Sequence, residues 1–125
     1  MASGEMRSAL ALRRAEWLRA MRWRRAVRAT LRRVGLTFTQ WQVLDALATL
    51  IRATEDAVSH SDVAVHLELD RATVGGVMAV LERRGLVSHG DAYMSNAWRV
   101  ILTQRGRALL ETQRAALEVE SVRVD

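Results

Sequence analysis

The chain has 125 residues, half of them hydrophobic, and a formal net charge of +5 built on 19 basic residues that are all Arg. This length fits one domain with its own core, and the apolar content excludes a disordered chain. The absence of Cys excludes disulfides, a thiol redox switch and Cys-based zinc sites, while the absence of Pro beside abundant Ala, Leu and Arg favours helices.

Residues 6–34 read as one long helix. Leu10, Trp17 and Met21 recur at i, i+7 and i+11, and Trp23, Val27, Leu31 and Val34 at i, i+4, i+8 and i+11. Each set is a helical stripe, and the two lie about 100° apart around the axis. Either the buried face shifts along this helix, or one stripe meets the body and the other a partner. Arginines crowd the remaining surface: residues 1–36 hold ten Arg and two Glu, net +8, against a net −3 for residues 37–125. That excess steers anionic partners, and its favoured reading is a solvated face. Gly35 is placed to end the helix. No run of 18 apolar residues occurs, and the basic N-terminal stretch lacks a signal peptide's apolar block. A cytoplasmic protein without a membrane span is therefore expected.

Thr37-Phe38-Thr39-Gln40 has the pattern of a capping box. The helix after it puts Trp41, Leu44, Leu47, Ala48 and Ile51 on one side, with Trp41 expected in the core. Residues 53–58 read as a polar loop. Ser59 caps the next helix, where Asp62 suits the positive end of the dipole and Val63, Ala64 and Leu67 form the apolar face. After a short connection, Asp70 caps a helix that carries Val74, Val77, Met78 and Leu81 inward and ends at Arg83-Arg84-Gly85. Residues 86–89 begin a strand, residues 90–97 a long hairpin tip, and residues 98–102 the returning strand. Thr103 caps a last helix over residues 104–120 with Leu109, Leu110 and Leu117 as contacts, and a mixed tail from residue 118 is expected to fray.

Two short capped helices joined by a tight turn make a helix-turn-helix, and a hairpin directly after them is a wing. The expected fold is mainly α with a small β-hairpin wing, one domain over residues 1–125 with its winged core at 37–103. Leu36-Thr37, Gln40-Trp41, Val43-Leu44, residues 59–67, Thr73-Val74, residues 81–87, Leu102-Thr103 and Gly106, in this order and spacing, resemble the MarR family of transcription regulators. The resemblance implies a homodimer clasped by terminal helices, residues 6–34 being the dimerisation helix. It also implies a recognition helix in each major groove of double-stranded DNA and wings reaching toward the minor groove.

Three places depart from the family pattern. Met94-Ser95-Asn96 stands where an Asp-x-Arg pair is usual. Gly75-Gly76 replaces a Thr-Arg-like pair, at a helix cost of about 1.5–2 kcal/mol relative to Ala. Only 22 residues follow Thr103, which shifts the dimer contact toward residues 6–34.

The DNA-binding candidates are Ser59, His60 and Ser61 at the start of one helix, where free N–H groups hold a phosphate, and Arg71, Thr73 and Gly76 on the recognition helix. Asn96 is a candidate on the wing, and His89 and Arg99 on its strands are candidates to touch the DNA backbone, Arg99 reading equally as plain surface. Gly75-Gly76 either lets the backbone approach DNA or marks a lost contact. The resemblance also implies a pocket for a small aromatic effector, with Trp17, Trp23 and Trp41 as candidate lining, although packing between helices accounts for the same residues. His60 and His66 lie about 120° apart on a helix, so no metal site is expected, and Asp62 with His66 reads as a surface pair. No cofactor and no catalytic constellation is expected. The implied function is a dimeric repressor on a pseudo-palindromic operator, released by a small aromatic ligand. The alternative is a winged-helix protein–protein interaction module without sequence-specific DNA binding.

Overall fold

The computed structural model describes residues 3–90 and 99–124. Its elements run α1 (Gly4–Val34), α2 (Phe38–Ala53), α3 (His60–Leu67), α4 (Arg71–Arg83), β1 (Val87–His89), β2 (Val100–Leu102) and α5 (Gln104–Val124).

The first four helices begin where a short polar side chain takes up an unpaired backbone N–H. Ser3 accepts from Met6 N, Thr37 and Gln40 close a full capping box, Ser59 and Asp62 close a second, and Asp70 accepts from Thr73 N. The carboxylate of Asp62 is committed to the Ser59 N–H and hydroxyl, so the surface pair expected with His66 gives way to the cap. Helix α1 starts two residues earlier than expected because Ser3 supplies the cap. Helix α5 runs to Val124 instead of fraying from residue 118, since residues 118–124 contain neither Gly nor Pro to break it.

Side chains from every element meet in one core. Val27 and Leu31 of α1, Leu44 and Leu47 of α2, Met78 and Leu81 of α4, and Leu86 beside the hairpin are all essentially inaccessible to solvent. Each such side chain contributes about 1.5–3 kcal/mol of transfer free energy. Trp41, expected in the core, does not enter it. It is half-buried at the core's edge, its ring tilted against Phe38 at 5.8 Å. The α2–α3 connection is also more than a polar loop, because Val58 is buried and its carbonyl accepts from Val100 N at 2.9 Å. That bond adds a third segment to the β1–β2 hairpin, whose register pairs Val87 with Leu102 and His89 with Val100. The expected strand start at Trp98 lies outside the described residues.

Helix α1 leads two lives. Val27 and Leu31, from the second stripe, are buried, whereas every residue from Ser3 to Arg25 is exposed except half-buried Met21. Leu10 and Trp17 of the first stripe are 55% and 61% exposed. The lower half is held to α5 by Gln113, a buried side chain whose amide donates to Thr30 Oγ1 at 2.6 Å. Its Oε1 has no hydrogen-bond partner among the described residues.

The wing is fixed to the helices at one crossing. Gly85 takes a left-handed φ of 73° after α4, which turns the chain into β1. Thr103 then donates its hydroxyl to Gly85 O at 2.6 Å and its N–H to Leu86 O at 3.2 Å. Gly106, one turn into α5, lies so close that a Cβ there would stand 2.2 Å from Leu86 O. Replacing Gly106 by Ala forces two backbones apart, and a loss of about 1–3 kcal/mol in urea unfolding is expected. Gly76→Ala, with nothing within 4 Å of the new Cβ, should instead add up to about 1 kcal/mol through helix propensity.

Candidate nucleic-acid interface

Helices α3 and α4 are joined through Glu68, Leu69 and Asp70. The turn is tight because Glu68 adopts a left-handed φ of 55°, unusual for a residue with a Cβ. Val63 and Ala64 of α3 and Val74, Met78 and Leu81 of α4 face the core. The opposite side of α4 is left to solvent, and at its start that side consists of Arg71, Ala72, Thr73 and Gly76, all exposed.

The polar groups here are not equally available. Arg71 projects from the first position of α4. Thr73 donates its hydroxyl to the Asp70 carboxylate at 2.8 Å, leaving only its lone pairs for a further partner. Hydrogen bonds from Thr73 N–H and hydroxyl hold the Asp70 carboxyl below the usual carboxylate range. A fixed negative charge therefore sits beside Arg71, and exposed Glu68 adds another nearby. Neither glycine of α4 is required by crowding within the chain: a Cβ at Gly75 would meet only His60 Nδ1, at 3.9 Å, and one at Gly76 would meet nothing within 4 Å.

At the start of α3, Ser59 is engaged in its capping box and Ser61 is half-buried. The His60 ring is half-buried against the wing, its Nε2 2.7 Å from Nε2 of His89, whose Nδ1 is bonded to the Glu82 carboxylate. This three-residue chain joins α3, β1 and the end of α4, and nothing in the local pattern of the sequence announces it. Arg99 is exposed at the base of β2, where its carbonyl accepts from Gly90 N at 2.8 Å. Asn96 lies outside the described residues. The structure thus brings the start of α3, the face of α4 and the base of the wing together.

Sequence reading also missed Arg84. Read as a basic residue ending α4, it instead donates to Gly35 O at 2.8 Å and Val34 O at 3.2 Å, satisfying carbonyls at the end of α1.

Two concavities flank the core. One, of about 790 Å³, lies between the end of α2, β2 and α5, and four arginines line it, Arg52, Arg99, Arg107 and Arg114, together with Glu55, Asp56 and Glu111. The other, of about 430 Å³, sits where Arg24, Arg28 and Arg32 of α1 face Thr37 and Phe38. Trp17, Trp23 and Trp41 line neither. Among the described residues, no group of three or more His, Asp or Glu is placed to hold a metal ion, and no helix is long and apolar enough to cross a membrane.

Residues 34–92 match the family model described as MarR family. No curated protein matches the chain. Among solved structures, a MarR-family transcriptional regulator from Rhodococcus sp. RHA1 shares the fold with a TM-score of 0.72 at 22% identity, over 98% of this chain and 81% of that one. Rv2887, a MarR family protein of Mycobacterium tuberculosis solved in complex with DNA, gives 0.73 at 25% identity over 90% and 81%. The same protein in complex with salicylic acid gives 0.66 at 25% identity over 88% and 78%. MarR family proteins are transcriptional regulators and not enzymes.

Burial pushes the carboxyl of Asp45 on α2 above its ordinary value, against the pull of Arg114, Arg52 and His66. A raised carboxyl favours the folded state only while protonated, so this side chain's contribution is lost as pH rises from the unfolded value through the folded one. Asp45→Asn should therefore melt a few degrees higher than the parent at neutral pH. Melting curves taken down to about pH 3.8 should show that advantage closing.

Proposed function

We propose that the chain, whose residues 34–92 match the MarR family model and fold as a winged helix-turn-helix, is a dimeric, cytoplasmic transcription regulator that represses by occupying a pseudo-palindromic site on double-stranded DNA. The observation that carries this reading is the α3–α4 pair: a tightly turned helix-turn-helix whose second helix leaves the face of Arg71, Thr73 and Gly76 open to solvent. In such a complex α4 enters the major groove. Arg71 binds guanine or a phosphate, and Gly76 lets the helix backbone come close. Ser59, His60 and Ser61 bring the N-terminus of α3 to a phosphate, while Arg99 and Asn96 serve the backbone and minor groove at the wing. Support comes from the complex of Rv2887 with DNA.

The dimer is formed through the open stripe of α1. Met6, Leu10, Trp17 and Leu18 are each about half exposed or more along that stretch, and an apolar surface of that kind marks a partner site. Two recognition helices then meet half-sites about 34 Å apart or a multiple of that. The effector is a small aromatic acid. The arginine-lined cavity between α2, β2 and α5 suits a carboxylate, and the complex of Rv2887 with salicylic acid supports that class of ligand. Trp17 and Trp23 fall to the dimer contact in this reading. Effector binding releases DNA by altering the spacing of the two recognition helices.

The second reading, a winged-helix interaction module, draws on Glu68 and Asp70 beside Arg71 and on the side-chain-free Gly75-Gly76. Binding of random duplex DNA against salt concentration separates the two. A regulator should show log K falling steeply with log salt, and Arg71→Ala should reduce that slope by about one if the residue holds a phosphate. Absence of binding at low salt would leave the module reading. Sedimentation tests the dimer: Leu10→Glu with Trp17→Glu should give a folded monomer, and an unchanged mass would dismiss the α1 stripe as the contact.

A further inference from the structure

His60, His89 and Glu82 come from three different elements, yet their side chains form one continuous chain of contacts. The two imidazole rings meet edge to face, centroids 4.9 Å apart at 73°, with Nε2 facing Nε2 at 2.7 Å. An ionised carboxylate only accepts, so the His89 Nδ1 must donate to Glu82. The contact between the two Nε2 atoms then needs a single proton, since two lone pairs repel and two N–H groups clash. The trio tolerates three arrangements. Both rings are neutral with His60 donating to His89, or a single charge sits on either ring, which then donates to the lone pair of its neutral neighbour. A further proton makes both rings cationic, with N–H groups opposed and no acceptor between them.

We propose that Glu82, His89 and His60 form a proton-operated clasp that ties the wing and the end of the recognition helix to the start of α3, and that proton uptake by the second ring opens it and weakens DNA binding. The proposal rests on the DNA-binding reading for its consequence and on the geometry alone for the clasp. The charged neighbours set its direction. From α4, Arg71 opposes a proton on His60 and Glu82 favours one; from β1, His89 opposes it; on α3 itself, the Asp62 carboxylate is taken by Ser59. Burial is the largest influence, and together these groups hold His60 below its ordinary value. A histidine depressed in this way supports the folded arrangement fully above the unfolded value of about 6.5, and that support drains away as pH falls through the lower folded value. The sign is diagnostic, because a histidine that simply faced phosphate would tighten DNA binding on acidification.

The chain has three histidines, and His66, exposed on α3, serves as the internal reference. Ring-nitrogen NMR of the whole protein against pH should show His60 and His89 titrating as a coupled pair in two steps. Backbone amides of residues 59–62 and 87–89 should shift with the second step. Independent single steps with unmoved amides would overturn the clasp. Duplex binding at fixed ionic strength, from about pH 7.5 to 5.5, should weaken about tenfold in the parent for each unit by which DNA depresses the second ring's value. His60→Gln should abolish that weakening. Acid tightening of the parent equal to that of His60→Gln would overturn the coupling to DNA. Glu82→Gln keeps the acceptor but removes the charge, and should move the opening step to lower pH. Loss of DNA binding at every pH would instead sink the regulator reading, with ring titration still deciding the clasp.

Discussion

The carbonyl of Leu86 is the point at which α4, the β1–β2 hairpin and α5 are held in register. It accepts from Thr103 N at 3.2 Å, while Gly106 brings the α5 backbone so near that a Cβ would stand 2.2 Å from the oxygen. The residue before it, Gly85, turns left-handed out of α4, and its carbonyl takes the Thr103 hydroxyl. Chain leaving α4, chain entering β1 and chain entering α5 are thereby confined to one small volume. The hairpin has only three residues on each strand, too few to hold a position by its own ladder. Its placement beside α3 and α4 is inherited from this crossing and from the added bond between Val58 and Val100.

Around that crossing the chain separates its duties. The lower half of α1 belongs to the core through Val27 and Leu31, and Gln113 on α5 reaches Thr30 across the gap. The upper half is almost wholly open. Most of the arginine excess lies on this first helix, while the body that carries α3 and α4 is net acidic. The positive charge at the α4 face is thus local to a few residues, Arg71 foremost, whatever the overall charge of the molecule.

Much of the fold was legible because its signals are local. Thr37 with Gln40, Ser59 and Asp70 each announce a helix start within four residues, and Gly35 and Gly85 announce the ends. Periodicity separated the two stripes of α1, and the structure assigns one to the body. What stayed hidden depends on distant partners. Arg84 looked like a residue serving its own helix dipole, but it serves carbonyls some fifty positions earlier. His60 and His89 are 29 residues apart and meet only once the wing has folded back. Trp41 kept the correct face of α2 but sits at its margin, since period alone fixes direction and not depth. Thr73 lies on the open face of α4, while the hydrogen bond that occupies its hydroxyl could be seen only in three dimensions.

The anchorage of α1 by Arg84 has a mechanical side. The exposed part of α1 projects about 33 Å beyond its buried turns, at 1.5 Å per residue. Near the other end, a single guanidinium holds the last two carbonyls from the terminus of α4. From that contact to the start of α1 is about 46 Å at 1.5 Å per residue, so a tilt of about 10° there would sweep the tip through roughly 8 Å. Since Val27, Leu31 and the Thr30–Gln113 bond seat the same end, a tilt of α1 displaces its open stretch far more than its buried turns.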